Sequence, residues 1–291
     1  MTKLFQEFKP ADYDSWINQL KKDLKDKPLE ALESKPEKDL EIKAYHHPQK
    51  DQFPESGTTY ANNFSKSNNL WHIRRIYNPG ENKKILSDLN NGIDAIGITA
   101  ESDQQFSETT NGILFEHIQS DCRFNTLESA LKIQTDKHCT LNFDILSLNN
   151  KSGKKLFNLD DYLQFYKKHH ANKTVWVSGS DYGQAGATTV QELAFTLAHL
   201  NEYLQKLYDE KIDLKQVAEK VILDLSINEN YFVNLAKFRA VRELTALVFS
   251  AYKADTLFPS PVLYATTSHR FQAENDRNNN FLRQTTQTMS A

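Results

Sequence analysis

From Trp71 to the C-terminus, short apolar runs alternate with amphipathic helical stretches, and this alternation constrains the fold more than any other feature. Strand-like runs fall at Ile73–Ile76, Ile93–Thr99, Ile113–Ile118, Thr140–Leu148, Val175–Ser178, Val221–Ile227 and Pro261–Thr266. Helical patterning covers Glu81–Asn91, Thr126–Gln134, Leu159–His169, Thr189–Tyr208, Tyr231–Tyr252 and Asn278–Met289. Gly92 is placed to end the first of these helices. Thr189 with Glu192 reads as a capping box at the start of the best-patterned one. Strand-then-helix alternation implies parallel strands joined by right-handed crossovers. About seven such units fit either an open doubly wound sheet or a (β/α)8 barrel of the TIM type, one unit short. The expectation is the incomplete α/β barrel over residues 71–291, with the sequence stopping before the eighth unit.

Residues 1–70 differ. Phe5, Phe8 and Trp16 stand in a polar stretch, and Trp16, Ile17, Leu20 and Leu24 share a helical spacing over Trp16–Lys25, with Asp14 or Ser15 as cap. The Lys/Glu/Pro-rich segment Lys25–Lys43 is too poor in apolar residues for a core of its own, and Gln49–Asn69 is loop-like. An extended N-terminal helical arm is expected, with Phe5, Phe8 and Trp16 seeking cover on a partner subunit.

The formal net charge of −3 argues against a generally basic nucleic-acid binder and against an anionic-membrane binder. No run approaches the length needed to span a membrane, and residues 1–14 show no signal-peptide core. The two cysteines, Cys122 and Cys139, form no disulfide framework and have no zinc spacing, so a cytoplasmic location is expected.

Several motifs fail on inspection. No GxGxxG or P-loop is present. Gly179 to Gly183 brackets small residues like a nucleophile elbow, but its centre is Asp181, not Ser. Asp136-x-His138 begins a cobalt-ligating DxHxxG motif, but Leu141 stands where Gly is required. The pairs His46-His47 and His169-His170 point to different sides of any regular element. Asp144, Asp181 and Asp224 lie near strand ends, where a barrel would face them to its mouth. Lys237, Arg239 and Arg242 do not form one stripe, and ion pairs with Glu243 or neighbours are their expected partners.

Three stretches together resemble the methylmalonyl-CoA mutase family, the adenosylcobalamin-dependent carbon-skeleton isomerases. They are Ser178–Thr188 running into Gln191–Ala198, Asn230–Arg242, and Thr266–Ser268 with Asn275–Asn279 and Leu282–Thr286. Trp16 with Lys22–Lys25 is similar to the family's arm ahead of the barrel.

The departures carry as much meaning as the matches. Where catalytic chains of that family hold a Tyr-His pair, this sequence has Ser180 and Asp181. The glutamates that follow are replaced by Gln184 and Asn234, and Ile76 stands at the aromatic position of the first strand. Aspartate cannot take over from histidine as a proton donor near neutral pH without a large pKa shift. The resemblance is therefore to the small, non-catalytic subunit of the heterodimeric bacterial enzymes. It implies a heterodimer with a large subunit that binds adenosylcobalamin and interconverts (R)-methylmalonyl-CoA and succinyl-CoA. It implies no cofactor, metal or catalytic residue on this chain. A divergent acyl-CoA mutase using Ser180, Asp181 and Asp224, or a mutase-associated chaperone, are the alternatives.

Overall fold

The computed structural model describes residues 12–25, 27–46, 71–136, 138–254 and 261–290. The chain divides into two compact units, Met1–Gly57 and Thr58–Ala291. Among the described residues no helix is long and apolar enough to cross a membrane.

In the first unit, helix α1 (Tyr13–Leu24) starts three residues earlier than the pattern predicts. The cap is Asp12, whose carboxylate accepts from the Ser15 backbone N–H. Trp16 packs at a tilt against Tyr13 and Tyr45, with ring centres 5.9 and 5.1 Å apart. Strands β1 (Ser34–Glu37) and β2 (Leu40–Ile42) form an antiparallel hairpin inside the charged segment. Neither α1 nor the hairpin buries a residue, in keeping with that segment's shortage of apolar side chains.

The second unit follows the alternation. Its strands are β3 (Arg74–Tyr77), β4 (Ala95–Thr99), β5 (Gln119–Arg123), β6 (Cys139–Asn142), β7 (Val175–Ser178), β8 (Val221–Ile227) and β9 (Val262–Thr267). The first four form one parallel sheet and the last three another, each in chain order. The Leu141 N–H donates to the Lys173 carbonyl at 2.8 Å, carrying the order from β6 towards β7. Within neither sheet does the order reverse, as a doubly wound sheet would require.

The intervening helices are α2 (Asn82–Asn90), α3 (Asp103–Thr110), α4 (Leu127–Lys132), α5 (Ile145–Ser152), α6 (Leu159–Lys168), α7 (Ser180–Gln184), α8 (Thr189–Asp209), α9 (Leu214–Ala218), α10 (Tyr231–Ala251) and α11 (Arg277–Met289). Alternate strand residues meet these helices. Ile96, Ile98, Cys122, Leu141, Val175, Val177, Leu223 and Leu225 join one core with Ile85, Phe165, Tyr203, Leu207, Val241 and Phe249.

Two expected strands are corrected. Ile113–Ile118 is a loop with a single 3-10 turn, and the strand is the polar Gln119–Arg123 that follows. Thr140–Leu148 holds a shorter strand, because Asp144 caps α5 by accepting from the Ser147 N–H at 3.1 Å and so ends the extended run. The capping box of α8 lies one residue earlier than predicted, on Thr188 and Gln191. That shift frees Glu192 for a buried role.

Candidate functional site

The strand faces turned away from the helices converge. Arg74 on β3 donates through Nε and Nη2 to both carboxylate oxygens of Asp121 on β5, at 2.6 and 2.7 Å. Its guanidinium also lies 4.9 Å from the Tyr264 ring on β9 and 6.0 Å from the Trp176 ring on β7. Side chains from the first and last strands of the unit thus touch across a shared interior. Gly97 on β4 makes room for them, since a Cβ there would collide with Arg74 and crowd Asp121. Burial works against the Arg74 charge, but Asp121 outweighs it and raises the guanidinium's pKa. Trp176 and Asp121 are almost fully buried, so the middle of this interior is filled by side chains.

Above that layer sit the C-terminal ends of β7, β8 and β9 and the residues singled out by sequence. Ser180 donates to Asp224 Oδ2 at 2.9 Å, and Thr266 donates to Asp224 Oδ1 at 2.6 Å. Burial raises the Asp224 pKa, against the opposing pull of Arg123, Thr266, Arg74 and Ser180. Asp181 accepts from Ser147 Oγ at 2.5 Å and pairs with Lys151 at 2.9 Å. Gln184 accepts from Ser268 Oγ and the His269 N–H, and donates to the Thr267 carbonyl. Asn234 donates to the Asn228 carbonyl and to Ser290 Oγ, and accepts from the Asn228 N–H. The structure brings Ser180 onto Asp224 but gives Asp181, Gln184 and Asn234 separate structural partners. Gly179 and Gly183, the pair that mimics a nucleophile elbow, let α7 lie against β8. A Cβ at Gly183 would strike Ser226, and one at Gly179 would strike Thr196.

Sequence reading missed two buried networks. In the first, Lys237 donates to Glu192 Oε2 at 2.9 Å and to the Ser226 carbonyl at 2.5 Å, while Ser226 donates to Glu192 through N and Oγ. Burial raises the Glu192 pKa, and Lys237 opposes it. The expected Glu243 partner is thus replaced by one on a neighbouring helix. In the second, Asp144 accepts from Tyr203 Oη at 2.7 Å and from the Ser178 N–H at 2.7 Å. His199 Nε2 stands 2.9 Å from Asp144 Oδ1, although its N–H is not aligned on the carboxylate. Tyr182 Oη meets His199 Nδ1 at 3.0 Å. Burial alone would raise the Asp144 pKa, but His199, Tyr203 and the Ser147 N–H hold it down at about 2. The signal for both networks was a run of polar residues at helical spacing, Glu192, Thr196, His199 and Tyr203, all of which α8 buries.

The remaining candidates are ordinary. His138 closes a local turn on Asp136, and His169 contacts the Ala130 carbonyl inside the core. Burial raises the pKa of both cysteine thiols, that of Cys139 to about 12, and both are free. Among the described residues no group of three His, Cys, Asp or Glu is placed to hold a metal ion. Phe5 and Phe8 lie outside the described residues.

A parallel α/β unit with a side-chain-filled interior and a tied-down set of polar residues above it defines the class. Comparison with known proteins narrows it. Residues 151–291 match the family model described as methylmalonyl-CoA mutase. The chain is 25% identical over 99% of its length to the methylmalonyl-CoA mutase small subunit of Porphyromonas gingivalis, covering 52% of that protein. It is 23% identical over 81% of its length to the small subunit of Propionibacterium freudenreichii subsp. shermanii, covering 40% of it. A shorter stretch, 40% of the chain, is 33% identical to a methylmalonyl-CoA mutase of Rhizobium meliloti and covers 17% of that protein. The family that matches over residues 151–291, and the small subunits that match over most of the chain, are those that the sequence resemblance implied. The chain spans about half the length, or less, of the small subunits it matches.

Proposed function

We propose that this chain is the α/β portion of a non-catalytic mutase small subunit, which supports a large subunit that carries out the isomerisation of (R)-methylmalonyl-CoA and succinyl-CoA. The observation that carries the reading is the interior itself. Arg74, locked to Asp121 and packed on Trp176 and Tyr264, fills the middle of that interior. The chain-ordered parallel strands, with β3 and β9 side chains in contact, support a (β/α) barrel of seven units.

The residues present do not suit adenosylcobalamin chemistry. Where the resemblance places a cofactor-facing histidine, the chain has Asp181, an acid already engaged by Ser147 and Lys151. The cofactor therefore belongs to the partner in this reading, and no step is assigned to Ser180, Asp181, Gln184 or Asn234. The arm of residues 1–70, with Phe5, Phe8 and Trp16, is assigned to the subunit interface, and the complex to the cytoplasm.

The test is co-expression with the cognate large subunit. The expected result is a one-to-one complex whose mutase activity survives Ser180→Ala and Asp181→Asn with little change, while Trp16→Ala weakens assembly. Turnover of methylmalonyl-CoA by the isolated chain with adenosylcobalamin would overturn the proposal.

A further inference from the structure

Asparagine followed by glycine occurs twice in the chain, at Asn91-Gly92 and Asn111-Gly112. Such a pair is chemically reactive, because glycine has no side chain to keep its backbone nitrogen away from the asparagine amide. Both pairs are exposed and both follow a helix, so exposure does not separate them. Their bonding does. After α2, Asn91 Nδ2 donates to the Ser87 carbonyl at 2.7 Å, which holds the amide back along the helix. The Ile93 N–H reaches back to the Asp88 carbonyl at 3.1 Å and locks the glycine cap. After α3, Asn111 and Gly112 are the central residues of a turn closed by the Ile113 N–H on the Thr110 carbonyl at 3.0 Å. Asn111 at φ −57° and ψ 126°, with Gly112 at φ +79°, gives it the type II form. The Asn111 carbonyl accepts from Asn82 Nδ2 at 2.8 Å, but among the described residues neither the Asn111 side-chain amide nor the Gly112 N–H has a partner. A Cβ at Gly112 would meet nothing within 4 Å, so the turn has room to rotate.

We propose that Asn111 is a site of spontaneous deamidation through a cyclic imide, and that the fold spares Asn91. Rotation about the Asn111 Cα–C bond brings the Gly112 nitrogen onto Asn111 Cγ. The nitrogen gives up its proton and bonds to Cγ, and the Cγ–Nδ2 bond breaks with release of ammonia. Water then opens the imide at either carbonyl. One opening leaves aspartate. The other leaves isoaspartate, whose main chain runs through Cβ and Cγ and is longer by one carbon atom. Only water is consumed, and each product carries a new negative charge. At Asn91 the amide must first leave Ser87 and the cap must open, so the same attack is slower there. Asn82 Nδ2 bridges the carbonyls of Thr109 and Asn111, at 2.9 and 2.8 Å, and so ties the start of α2 to the end of α3. Isoaspartate turns the second carbonyl into a carboxylate branching off the main chain. The modification therefore alters the tie between two helices as well as the surface charge.

The full-length chain is kept at physiological temperature, at neutral and at mildly alkaline pH, and sampled by peptide mapping with mass spectrometry. Isoaspartate is measured by enzymatic methylation with a protein isoaspartate methyltransferase. The Asn111 peptide is expected to change from amide to acid several-fold ahead of the Asn91 peptide, faster at the higher pH, with isoaspartate among its products. The same chain unfolded in urea should lose the preference, since both pairs are then equally free. Asn111→Gln should abolish the early change and leave the Asn91 rate as it was. The proposal is overturned if Asn91 reacts as fast as Asn111 in the folded chain, or if Asn111 keeps its amide there while the unfolded chain deamidates. It is equally overturned if the preference persists in urea, which assigns it to neighbouring residues and not to the fold. Aspartate formed without isoaspartate also overturns it, because the imide opens both ways.

Discussion

The two faces of the same parallel strands, β3 to β9, have been filled by opposite means. Towards the helices stand Ile96, Ile98, Leu141, Val177, Leu223 and Leu225, an apolar layer with no charge to satisfy. Towards the shared interior stand Arg74, Asp121, Arg123, Trp176, Asp224 and Tyr264, held by ion pairs, hydrogen bonds, cations over rings and the Trp176–Tyr264 ring contact. The first face is dictated by secondary structure, because helices must bury a stripe against something apolar. The second is free of that demand, so its chemistry reports what the unit does. In this chain it is paired and packed, which supports the structural role proposed above.

The largest expected effect tests whether charge pairing holds the interior. Asp121→Leu leaves Arg74 buried without its partner and should cost about 3–5 kcal/mol in urea unfolding. The double variant Arg74→Met with Asp121→Leu should recover most of that loss, since apolar replacement of a buried pair is often neutral or stabilising. If the double variant is as damaged as the single one, the interior depends on shape and not on charge.

On the helix-facing side, Leu223→Ala should cost about 2–5 kcal/mol, with no rescue by any charge reversal elsewhere. A loss well under 1 kcal/mol would mean that β8 is not the packing centre its burial suggests.

The next effect is pH dependence at the boundary between the faces. Asp144 is held at about 2 in the folded chain, below its ordinary value of 3.8. A depressed carboxyl stabilises the fold fully above its unfolded value and loses that contribution as pH falls through the folded one. The shift corresponds to about 2 kcal/mol, lost between roughly pH 5 and pH 1. Unfolding of the parent should therefore steepen with acid in that window, and Asp144→Asn should flatten the slope. Glu192 and Asp224, both raised by burial, act in the opposite sense and weaken the fold as pH rises through their range.

The smallest effect is local. Thr188→Ala removes the side-chain acceptor at the start of α8 and should cost about 1 kcal/mol. Its effect should add to that of Leu223→Ala if the two sites are independent.

The contrast between faces also explains what sequence could and could not reveal. Val175–Ser178 and Val221–Ile227 were legible to the residue because their helix-facing positions are valine, leucine and isoleucine. Strand β5 was misplaced onto Ile113–Ile118 because its interior positions are Gln119, Asp121 and Arg123, which read as a loop. The apolar run before it packs against the core as a turn, with Ile113, Phe115 and Ile118 partly buried. The resemblance singled out Ser180, Asp181, Gln184 and Asn234, but not the partners of the last three. Ser147, Asn228, Ser268 and Ser290 reach them only through the fold. Lys237 was assigned a neighbour on its own helix because helical spacing was the only distance available, while its true partner, Glu192, comes from α8.

The contact of Arg74 with Tyr264 also has a temporal meaning. The two residues lie near opposite ends of the second unit in sequence, so a chain emerging from the ribosome presents Arg74 long before its aromatic cover exists. Local strand-and-helix pairs can form early, but the contact of Arg74 with Tyr264 cannot form until β9 has been made. Contacts of such long separation slow folding and leave unpaired edges exposed meanwhile. A nascent chain halted before residue 262 should accordingly keep helical content yet remain open to proteolysis around β3, and the unit should acquire resistance as one late, cooperative event.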